Sequence, residues 1–340
     1  MAERLMWGIL GTGNIAKQYA TGVIASRHGA LAAVGSRSEV SAKEFASAYK
    51  CPRHFAGYQK VLDDPGVTAV YNALPNSMHH EWTIKALRAG KHVLCEKPLA
   101  ASTAEAEEMF DVSQQTGRML IEAFMYRSHP QTLAVLDAVK GGAIGALRLI
   151  RTSFCFRTLK VDGNIRFSRE LAGGALMDIG CYCVNFSRLF GGGEPVKLSV
   201  TGNLHASGVD EMAAGTMTFG NGVIASFTCG MTLHADNAAY LSGTEGFIEI
   251  PVPWKPPRMK AGFTVARSTP PRMDTAGKTM PAPPPREWIA VNSDDDLYAI
   301  EADDFAECVA GNRPPRISRS DSLGNMRIVD EMRRIVGSRQ

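Results

Sequence analysis

Two patterns of apolar residues alternate over the first 124 positions of the chain. Short continuous apolar runs are typical of buried strands, and apolar residues that recur every three or four positions are typical of amphipathic helices. The predicted strands are Leu5–Leu10, Ala30–Gly35, Arg53–Phe55, Ala69–Ala73, His92–Cys95 and Met119–Ile121. The predicted helices are Asn14–Ser26, Val40–Tyr49, Met78–Ala89 and Thr103–Gln115. This alternation predicts a Rossmann-type α/β domain with a doubly wound parallel sheet.

The chain becomes strand-rich after residue 124. A predicted helix at Pro130–Lys140 precedes further predicted strands, which are Leu147–Phe156, Lys197–Leu204, Glu211–Phe219, Gly222–Met231, Ala239–Gly243 and Gly246–Ile250. Turn residues between some of these strands, as at Phe219–Gly222, favour antiparallel pairing. We therefore predict a Rossmann domain at 1–124 and an α+β domain at 125–340 with an open, mainly antiparallel sheet.

The end of the chain combines an irregular stretch with two helices. Residues Pro251–Pro285 are rich in proline and show little periodicity, which indicates an extended and mobile excursion from the sheet. Helical periodicity then returns at Leu297–Ala310 and at Ser320–Val336. These helices complete the predicted second domain.

A glycine-rich motif follows the first predicted strand and begins the first predicted helix. The segment Gly11–Ala16 (GTGNIA) fits the dinucleotide fingerprint G-x-G-x-x-[G/A]. In this motif the glycines allow a tight turn and a close approach to the pyrophosphate, which lies at the N-terminus of the helix. We expect the cofactor contacts of this motif to come from Gly11, Thr12, Gly13, Asn14 and Ile15.

The residues after the second predicted strand indicate which dinucleotide binds. An NAD enzyme places an acidic residue there, to bind the ribose 2′-hydroxyl. The chain instead reads Ser36-Arg37-Ser38, and Arg37 could bind a 2′-phosphate with the help of the serine hydroxyls. We therefore predict a preference for NADP(H), with NAD(H) as the alternative cofactor and a solvated loop arginine as the alternative interpretation of Arg37.

Composition and charge exclude several classes of function. The formal net charge of +3 is too small to indicate a nucleic acid or an anionic membrane as partner. The seven cysteines are scattered without a CxxC pair, and no set of residues has the spacing of a metal site, so we expect neither a disulfide framework nor a bound metal. No signal peptide and no apolar run of the ~18–20 residues that span a bilayer is evident, so we expect a cytoplasmic protein.

Three further segments resemble a known enzyme family. They are Cys95–Pro98 (CEKP), Ala73–His79 (ALPNSMH) and Gly173–Tyr182 (GGALMDIGCY). With the fingerprint, they are similar to the glucose–fructose oxidoreductase / inositol dehydrogenase / MocA (Gfo/Idh/MocA) family over essentially the whole chain. The resemblance implies a Rossmann domain followed by an α+β domain with an open antiparallel sheet, in agreement with the periodicity.

The resemblance also implies which residues are catalytic. It gives Lys97 the role of catalytic lysine, and family members often have a cis peptide bond between this lysine and the following proline. An ammonium beyond the end of a parallel strand can stabilise a substrate alkoxide. Many family members have histidine at the position of Tyr182. Tyrosine there indicates the branch that resembles dimeric trans-dihydrodiol dehydrogenase and NADP-dependent D-xylose dehydrogenase. We expect Tyr182, its pKa lowered by Lys97, to transfer the proton, and Asp178 to orient Lys97, Tyr182 or a substrate hydroxyl.

Further residues are expected to line the cofactor groove. Leu74, Pro75, Asn76 and Glu96 follow strands of the parallel sheet, where ligands of such sheets bind. His79 is expected in the same groove, or else on the solvent-facing side of the next helix.

The segment that joins the two domains, Glu122–Pro130 (EAFMYRSHP), also resembles the same branch. Tyr126 and Arg127 are expected to contact the substrate or the cofactor, the alternative being packing and ion pairing between domains.

The hypothesis that follows is an NADP-dependent dehydrogenase or reductase that acts on a secondary alcohol or carbonyl group. The resemblance implies a polyhydroxylated substrate such as a sugar, polyol or cyclic diol, with dihydrodiol oxidation as a related activity. Alternatives are a sugar–sugar oxidoreductase or transient-redox enzyme that retains its cofactor, and a non-catalytic NADP(H)-sensing regulator. We expect a homodimer or homotetramer that associates through the open sheet, because large apolar faces are rarely left in water.

Overall fold

The first domain of the computed structural model, which describes residues 4–267 and 284–337, is built around a parallel sheet. Its strands are β1 (Leu5–Leu10), β2 (Gly29–Ser36), β3 (Arg53–Ala56), β4 (Ala69–Asn72), β5 (His92–Glu96) and β6 (Leu120–Ala123). Its helices are α1 (Asn14–Ala25), α2 (Glu39–Tyr49), α3 (Gln59–Asp63), α4 (His79–Arg88) and α5 (Thr103–Thr116). Helix α3 is one turn long and was not predicted, because so short an element shows no periodicity.

The six strands lie in the order β3-β2-β1-β4-β5-β6, and all of them are parallel. The predicted Rossmann fold is therefore confirmed. The strand order reverses between β1 and β4, and ligands of such sheets bind in the crevice beyond the carboxyl ends at this point.

The second domain contains an eight-stranded sheet. Its strands are β7 (Leu147–Cys155), β8 (Pro195–Leu204), β9 (Asp210–Phe219), β10 (Ile224–Gly230), β11 (Ala239–Gly243), β12 (Gly246–Ile250), β13 (Gly262–Arg267) and β14 (Arg286–Ala290). Its helices are α6 (Pro130–Lys140), α7 (Cys181–Gly191), α8 (Leu297–Val309) and α9 (Arg319–Gly337). The strand order is β14-β13-β12-β11-β7-β10-β9-β8, and only the β7–β10 pair is parallel, which confirms the mainly antiparallel sheet.

The proline-rich stretch is more regular than its sequence indicates. We predicted an excursion from the sheet over 251–285, but β13 lies inside that stretch and pairs with β12 on one side and β14 on the other. Phe263 and Val265 of β13 are buried, and this short apolar segment is obscured by the prolines around it. Residues 268–283 of the predicted excursion lie outside the described residues.

Helices α8 and α9 return to pack on the first domain. Gly22 of α1 allows α8 to approach closely, because a Cβ at that position would lie 2.4 Å from the Cβ of Tyr298. Asp330 of α9 accepts hydrogen bonds from the Thr103 amide at 2.7 Å and from its hydroxyl at 2.6 Å, at the start of α5. The C-terminal helices therefore fix the two domains against each other. Within the described part of the chain, no helix has the length and apolarity needed to cross a membrane.

Candidate active site

The fingerprint turn leaves the N-terminus of α1 open. Gly11 has a φ of +97°, and a Cβ there would lie 3.2 Å from the carbonyl oxygen of Ala73, so the turn favours glycine. Gly13 is exposed and precedes the helix without a side-chain cap, and the first turn of α1 has no acidic residue. Thr12, Asn14 and the half-buried Ile15 continue this open surface. Free amides at a helix N-terminus with open space above them fit a pyrophosphate.

The end of β2 borders the same groove. The Ser36 hydroxyl lies 3.3 Å from the Thr12 hydroxyl, which joins this strand end to the fingerprint. Arg37 is exposed and forms no hydrogen bond or ion pair with the residues that the structure describes. Its charge partly offsets the effect of burial, which raises the pKa of Tyr58. A free guanidinium at this strand end fits the 2′-phosphate of NADP.

The loop after β4 forms the opposite border of the groove. Leu74 is buried, while Pro75 and Asn76 are half-buried, and the Asn76 amide donates to the carbonyl oxygen of Ala172 in the second domain at 2.8 Å. This loop therefore borders the groove and contacts both domains.

His79 neither lines the groove nor faces solvent, so both positions expected for it are corrected. It is fully buried, with Nδ1 2.9 Å from the carbonyl oxygen of Pro98 and Nε2 2.8 Å from that of Leu74. Burial lowers the pKa of His79 to about 4, so the ring is neutral near pH 7. The imidazole therefore contacts both the loop after β4 and the turn after β5.

Lys97 lies just beyond β5 and is held by two acceptors of Asp178. Its ammonium donates to the Asp178 carbonyl oxygen at 2.7 Å and to Oδ1 at 3.1 Å, while Arg166 Nε donates to Oδ2 at 2.6 Å. The side chains of Lys97 and Asp178 are 13% and 15% exposed. Asp178 therefore orients Lys97, which was one of the roles left open by the sequence.

Lys97, Asp178 and Arg166 form a charged triad, in which the opposite charges stabilise one another. Burial opposes ionisation of Asp178, but Lys97 and Arg166 outweigh it and lower the pKa of that carboxyl. Burial likewise opposes the charged form of Lys97, but the nearby carboxylates of Asp178 and Glu96 raise its pKa overall. Lys97 is consequently a cation at neutral pH, as electrostatic stabilisation of an alkoxide requires. The Lys97–Pro98 peptide bond is cis.

Glu96 lies directly beneath Lys97. Its carboxylate accepts a hydrogen bond from the Tyr71 hydroxyl and, at 3.2 Å, from the Lys97 amide. Burial raises the pKa of Glu96, although the charge of Lys97 opposes this shift. Glu96 is buried at the end of β5, and its contact with the cofactor stays a prediction.

Tyr182 lies on the second-domain side of Lys97. The Lys97 ammonium is 5.1 Å from the centroid of the Tyr182 ring, and the Tyr182 hydroxyl contacts Met125 Sδ at 3.5 Å. The expectation that Lys97 lowers the pKa of this tyrosine is wrong. Burial, reinforced by the negative charge of Glu96, raises the pKa of Tyr182 well above its usual value. The hydroxyl is therefore protonated at neutral pH.

Aromatic rings surround Tyr182 on its other sides. The centroids of Phe124, Phe154 and Trp254 lie 5.1, 5.3 and 5.9 Å from that of Tyr182. Phe154 and Trp254 stack with their centroids 5.6 Å apart. These rings form an apolar cluster, which the charged Lys97–Asp178–Arg166 triad adjoins at the Tyr182 ring.

Tyr126 and Arg127 are buried away from the groove, so the expected contact with substrate or cofactor is corrected to the structural alternative. Both side chains donate to Asn185 Oδ1, the Tyr126 hydroxyl at 2.6 Å and the Arg127 guanidinium at 3.0 Å. Arg127 also forms an ion pair with Asp321 of α9 at 2.9 Å. These contacts join the interdomain segment to α7 and α9.

Two cations near the groove were not predicted from the sequence. Arg166 lies in a short turn within an irregular segment, where no periodicity or motif distinguishes it. Lys255 follows β12, and its ammonium donates to Gln18 Oε1 of α1 at 3.1 Å, which links the two domains. Lys255 lies in the proline-rich stretch, which we had interpreted as an excursion. No group of three or more His, Cys, Asp or Glu residues within 4–267 and 284–337 is arranged to hold a metal ion.

Comparison with known proteins bears on both domains. Residues 5–124 match the model of an oxidoreductase family with an NAD-binding Rossmann fold, described as GFO_IDH_MocA. Residues 132–249 match the GFO/IDH/MocA C-terminal domain. The chain belongs to the Gfo/Idh/MocA oxidoreductase family. The resemblance predicted from the sequence motifs is thus confirmed.

Similar proteins span the whole length of this family member. A mouse trans-1,2-dihydrobenzene-1,2-diol dehydrogenase is 32% identical, with 98% of this chain and 97% of the relative covered. A D-xylose 1-dehydrogenase (NADP(+)) of Haloferax volcanii is 34% identical, with coverage of 96% and 95%. A solved structure is also similar, that of KijD10, a 3-ketoreductase from Actinomadura kijaniata, in complex with NADP and TDP-benzene. The two chains are 30% identical in sequence, and their structures match with a TM-score of 0.86 over 98% of each chain.

Proposed function

We propose that this family member is an NADP-dependent dehydrogenase or reductase that acts on a secondary alcohol or carbonyl group of a sugar, polyol or cyclic diol. The observation that carries the proposal is the position of Lys97, a charged ammonium held by Asp178 at the carboxyl end of β5, 5.1 Å from the centroid of the Tyr182 ring. The similarity to dihydrodiol, xylose and keto-sugar oxidoreductases supports the substrate class.

In the proposed chemistry, one residue stabilises charge and another transfers the proton. When bound, the nicotinamide supplies or accepts a hydride at the substrate carbon. Lys97 stabilises negative charge on the substrate oxygen, and Asp178 with Arg166 fixes the ammonium in place. Tyr182 holds its proton at neutral pH and can donate it to the substrate oxygen during carbonyl reduction, because the developing alkoxide is a strong base.

Net reduction of NADP⁺ by an added substrate tests this proposal against its two alternatives. An enzyme that retains its cofactor exchanges hydride between two substrates without net NADPH formation. A regulator binds NADPH but turns over nothing. The intact triad of Lys97, Asp178 and Arg166 favours an enzyme over a regulator.

We expect Arg37→Ala to remove most of the preference for NADP⁺. An ionic hydrogen bond from Arg37 to the 2′-phosphate contributes about 1.5–3 kcal/mol, so the ratio of kcat/KM for NADP⁺ to that for NAD⁺ should fall about 10- to 100-fold. Steady-state kinetics with both cofactors measures the ratio. Arg88→Ala, an exposed arginine at the far end of α4, is the matched control. An unchanged ratio in Arg37→Ala would exclude this role.

We also propose that the chain forms a homodimer, or a dimer of dimers, through the outer face of the eight-stranded sheet. Arg151 stacks on Tyr240 at 4.3 Å on this face, and Tyr240 lies 5.0 Å from the Phe247 ring. Trp288 and Ile224 are 48% and 45% exposed. Such a surface is rarely left in water. Sedimentation velocity should give at least a dimer mass, and a monomer at micromolar concentration would refute the proposal.

A cytoplasmic location and the division into domains 1–124 and 125–340 remain proposals as well. All seven cysteines are free thiols, which supports a reducing compartment, and fractionation of cells that express the chain measures the location. The end of the parallel sheet at Ala123 supports the division.

A further inference from the structure

The turn that carries Lys97 is held from below by two buried side chains. The Leu99 amide donates a hydrogen bond to Glu122 Oε1 at 2.9 Å, and the Pro98 carbonyl oxygen lies 2.9 Å from His79 Nδ1. Glu122, His79 and Leu99 are fully buried. An unpaired amide in such a place costs the full desolvation of the group, so the Glu122 contact restricts where the turn can lie.

The other oxygen of Glu122 is poorly satisfied. Glu122 Oε2 is buried and lacks a full hydrogen bond among the described residues, with the Ser322 hydroxyl nearby, and Glu301 Oε2 of α8 also lacks one. Both carboxyls line one cavity of about 20 Å³, which is enough for about one water molecule. A residue that served only to fill the core would not need a carboxyl there.

The surroundings shift Glu122 towards its neutral acid. Arg188 of α7 and Asp321 of α9, the charged groups that most affect it, pair with each other at 2.8 Å. Burial raises the pKa of Glu122 to about 7, against smaller lowering effects of the Ser322 hydroxyl and the Leu99 amide. Both the neutral and the ionised carboxyl can accept the Leu99 amide through an oxygen, so the contact needs a hydrogen-bond acceptor rather than a negative charge.

We propose that Glu122 is a positioning residue, which holds the Lys97–Leu99 turn through the Leu99 amide and so keeps the Lys97 ammonium against Asp178. Glu122 lies at the start of the segment that joins the domains and does not itself reach the reacting atoms. Its effect passes through the backbone of the turn. The inference rests on the proposed function, because it assumes that Lys97 stabilises the reacting oxygen.

The test compares variants of Glu122 that keep or lose the acceptor. Glu122→Gln keeps an oxygen at this position, so kcat should stay close to the wild-type value. Glu122→Met and Glu122→Asp lose it, the first by removing the oxygens and the second by shortening the side chain by one methylene. Both should lower kcat about 10- to 100-fold, the range expected from a small misplacement of a catalytic group. The Km for NADP⁺ should change little, because the fingerprint lies elsewhere.

A second readout does not depend on turnover. Hydrogen exchange of the peptide that contains Leu99 should speed up in Glu122→Met and Glu122→Asp and stay slow in Glu122→Gln, because only the last variant keeps the amide bonded. Glu301→Met is the matched control, since Glu301 lines the same cavity but forms no hydrogen bond to the turn. It should leave both kcat and Leu99 exchange unchanged. If Glu122→Met does not fold, Glu122→Asp carries the test.

The outcomes separate this inference from the proposed function. Two results would overturn the inference alone, provided that Lys97→Met is inactive. One is that Glu122→Asp keeps the wild-type kcat and the protection of the Leu99 amide. The other is that Glu122→Gln and Glu301→Met lose kcat and Leu99 protection to the same extent. A fully active Lys97→Met variant would overturn the inference and the role of Lys97, whereas the proposed function fails if the wild type forms no net NADPH from any substrate.

Discussion

Replacing Lys97 by methionine should lower kcat about 10²- to 10³-fold, the effect typical of losing one group that stabilises a developing oxyanion. Methionine has nearly the length of lysine and fills the same space without a charge. The loss should appear in kcat more than in the Km for NADP⁺, because the Lys97 ammonium binds Asp178 rather than any residue of the fingerprint. Initial rates at saturating cofactor measure the effect.

The matched control for this substitution is Lys85→Met. Lys85 is an exposed lysine on α4 that pairs with Glu81, so it shares the side-chain chemistry but not the site. Thermal unfolding of both variants shows whether the loss of Lys97 also destabilises the fold, since Asp178 keeps Arg166 as a partner at 2.6 Å. Turnover of Lys97→Met within a few-fold of the wild type, in a folded protein, would rule out the role of this lysine.

Tyr182→Phe should reduce turnover about 10²-fold, as expected for removal of a general acid or base. The hydroxyl forms no hydrogen bond in the described part of the chain other than its 3.5 Å contact with Met125 Sδ. Its removal should therefore change the free energy of unfolding by much less than 1 kcal/mol, below the usual value of a full hydrogen bond. Stopped-flow reduction of a carbonyl substrate by NADPH measures the chemical step directly.

Tyr126→Phe separates catalysis from packing in the same aromatic cluster. Its hydroxyl donates to Asn185 at 2.6 Å, so this substitution should cost about 1 kcal/mol of stability and leave turnover nearly unchanged. The two substitutions are thus expected to give opposite results. Tyr182→Phe should lose activity but not stability, and Tyr126→Phe should lose stability but not activity. Equal losses of turnover in both variants would contradict the assignment of the proton to Tyr182.

The parallel sheet could be predicted because its strands are short apolar runs between periodic helices. β1 is the clearest case, since Trp7, Ile9 and Leu10 are completely buried and the fingerprint follows at once. β13 could not be predicted in the same way. Its apolar residues stand between prolines, and only pairing with β12 and β14 makes the segment a strand.

The residues of the candidate site likewise fall into those that the sequence predicted and those that it did not. Lys97, Asp178 and Tyr182 stand in motifs, so their types and spacing were visible in the sequence. Arg166 was not visible, because its role depends on a loop that folds back to Asp178. His79 and Tyr126 were placed near the correct loops, but local sequence does not show that their side chains point into the protein. The raised pKa of Tyr182 is likewise a property of its burial.

The central claim is that this chain transfers hydride between NADP and a hydroxyl-bearing carbon. It is tested most directly by following NADPH formation with a panel of aldoses, inositols, anhydrosugars and dihydrodiols. The account predicts net, stoichiometric NADPH formation with at least one of these substrates, lost in Lys97→Met and retained in Lys85→Met. Tight NADPH binding without net formation from any member of the panel would contradict it, and would favour a retained cofactor or a regulator.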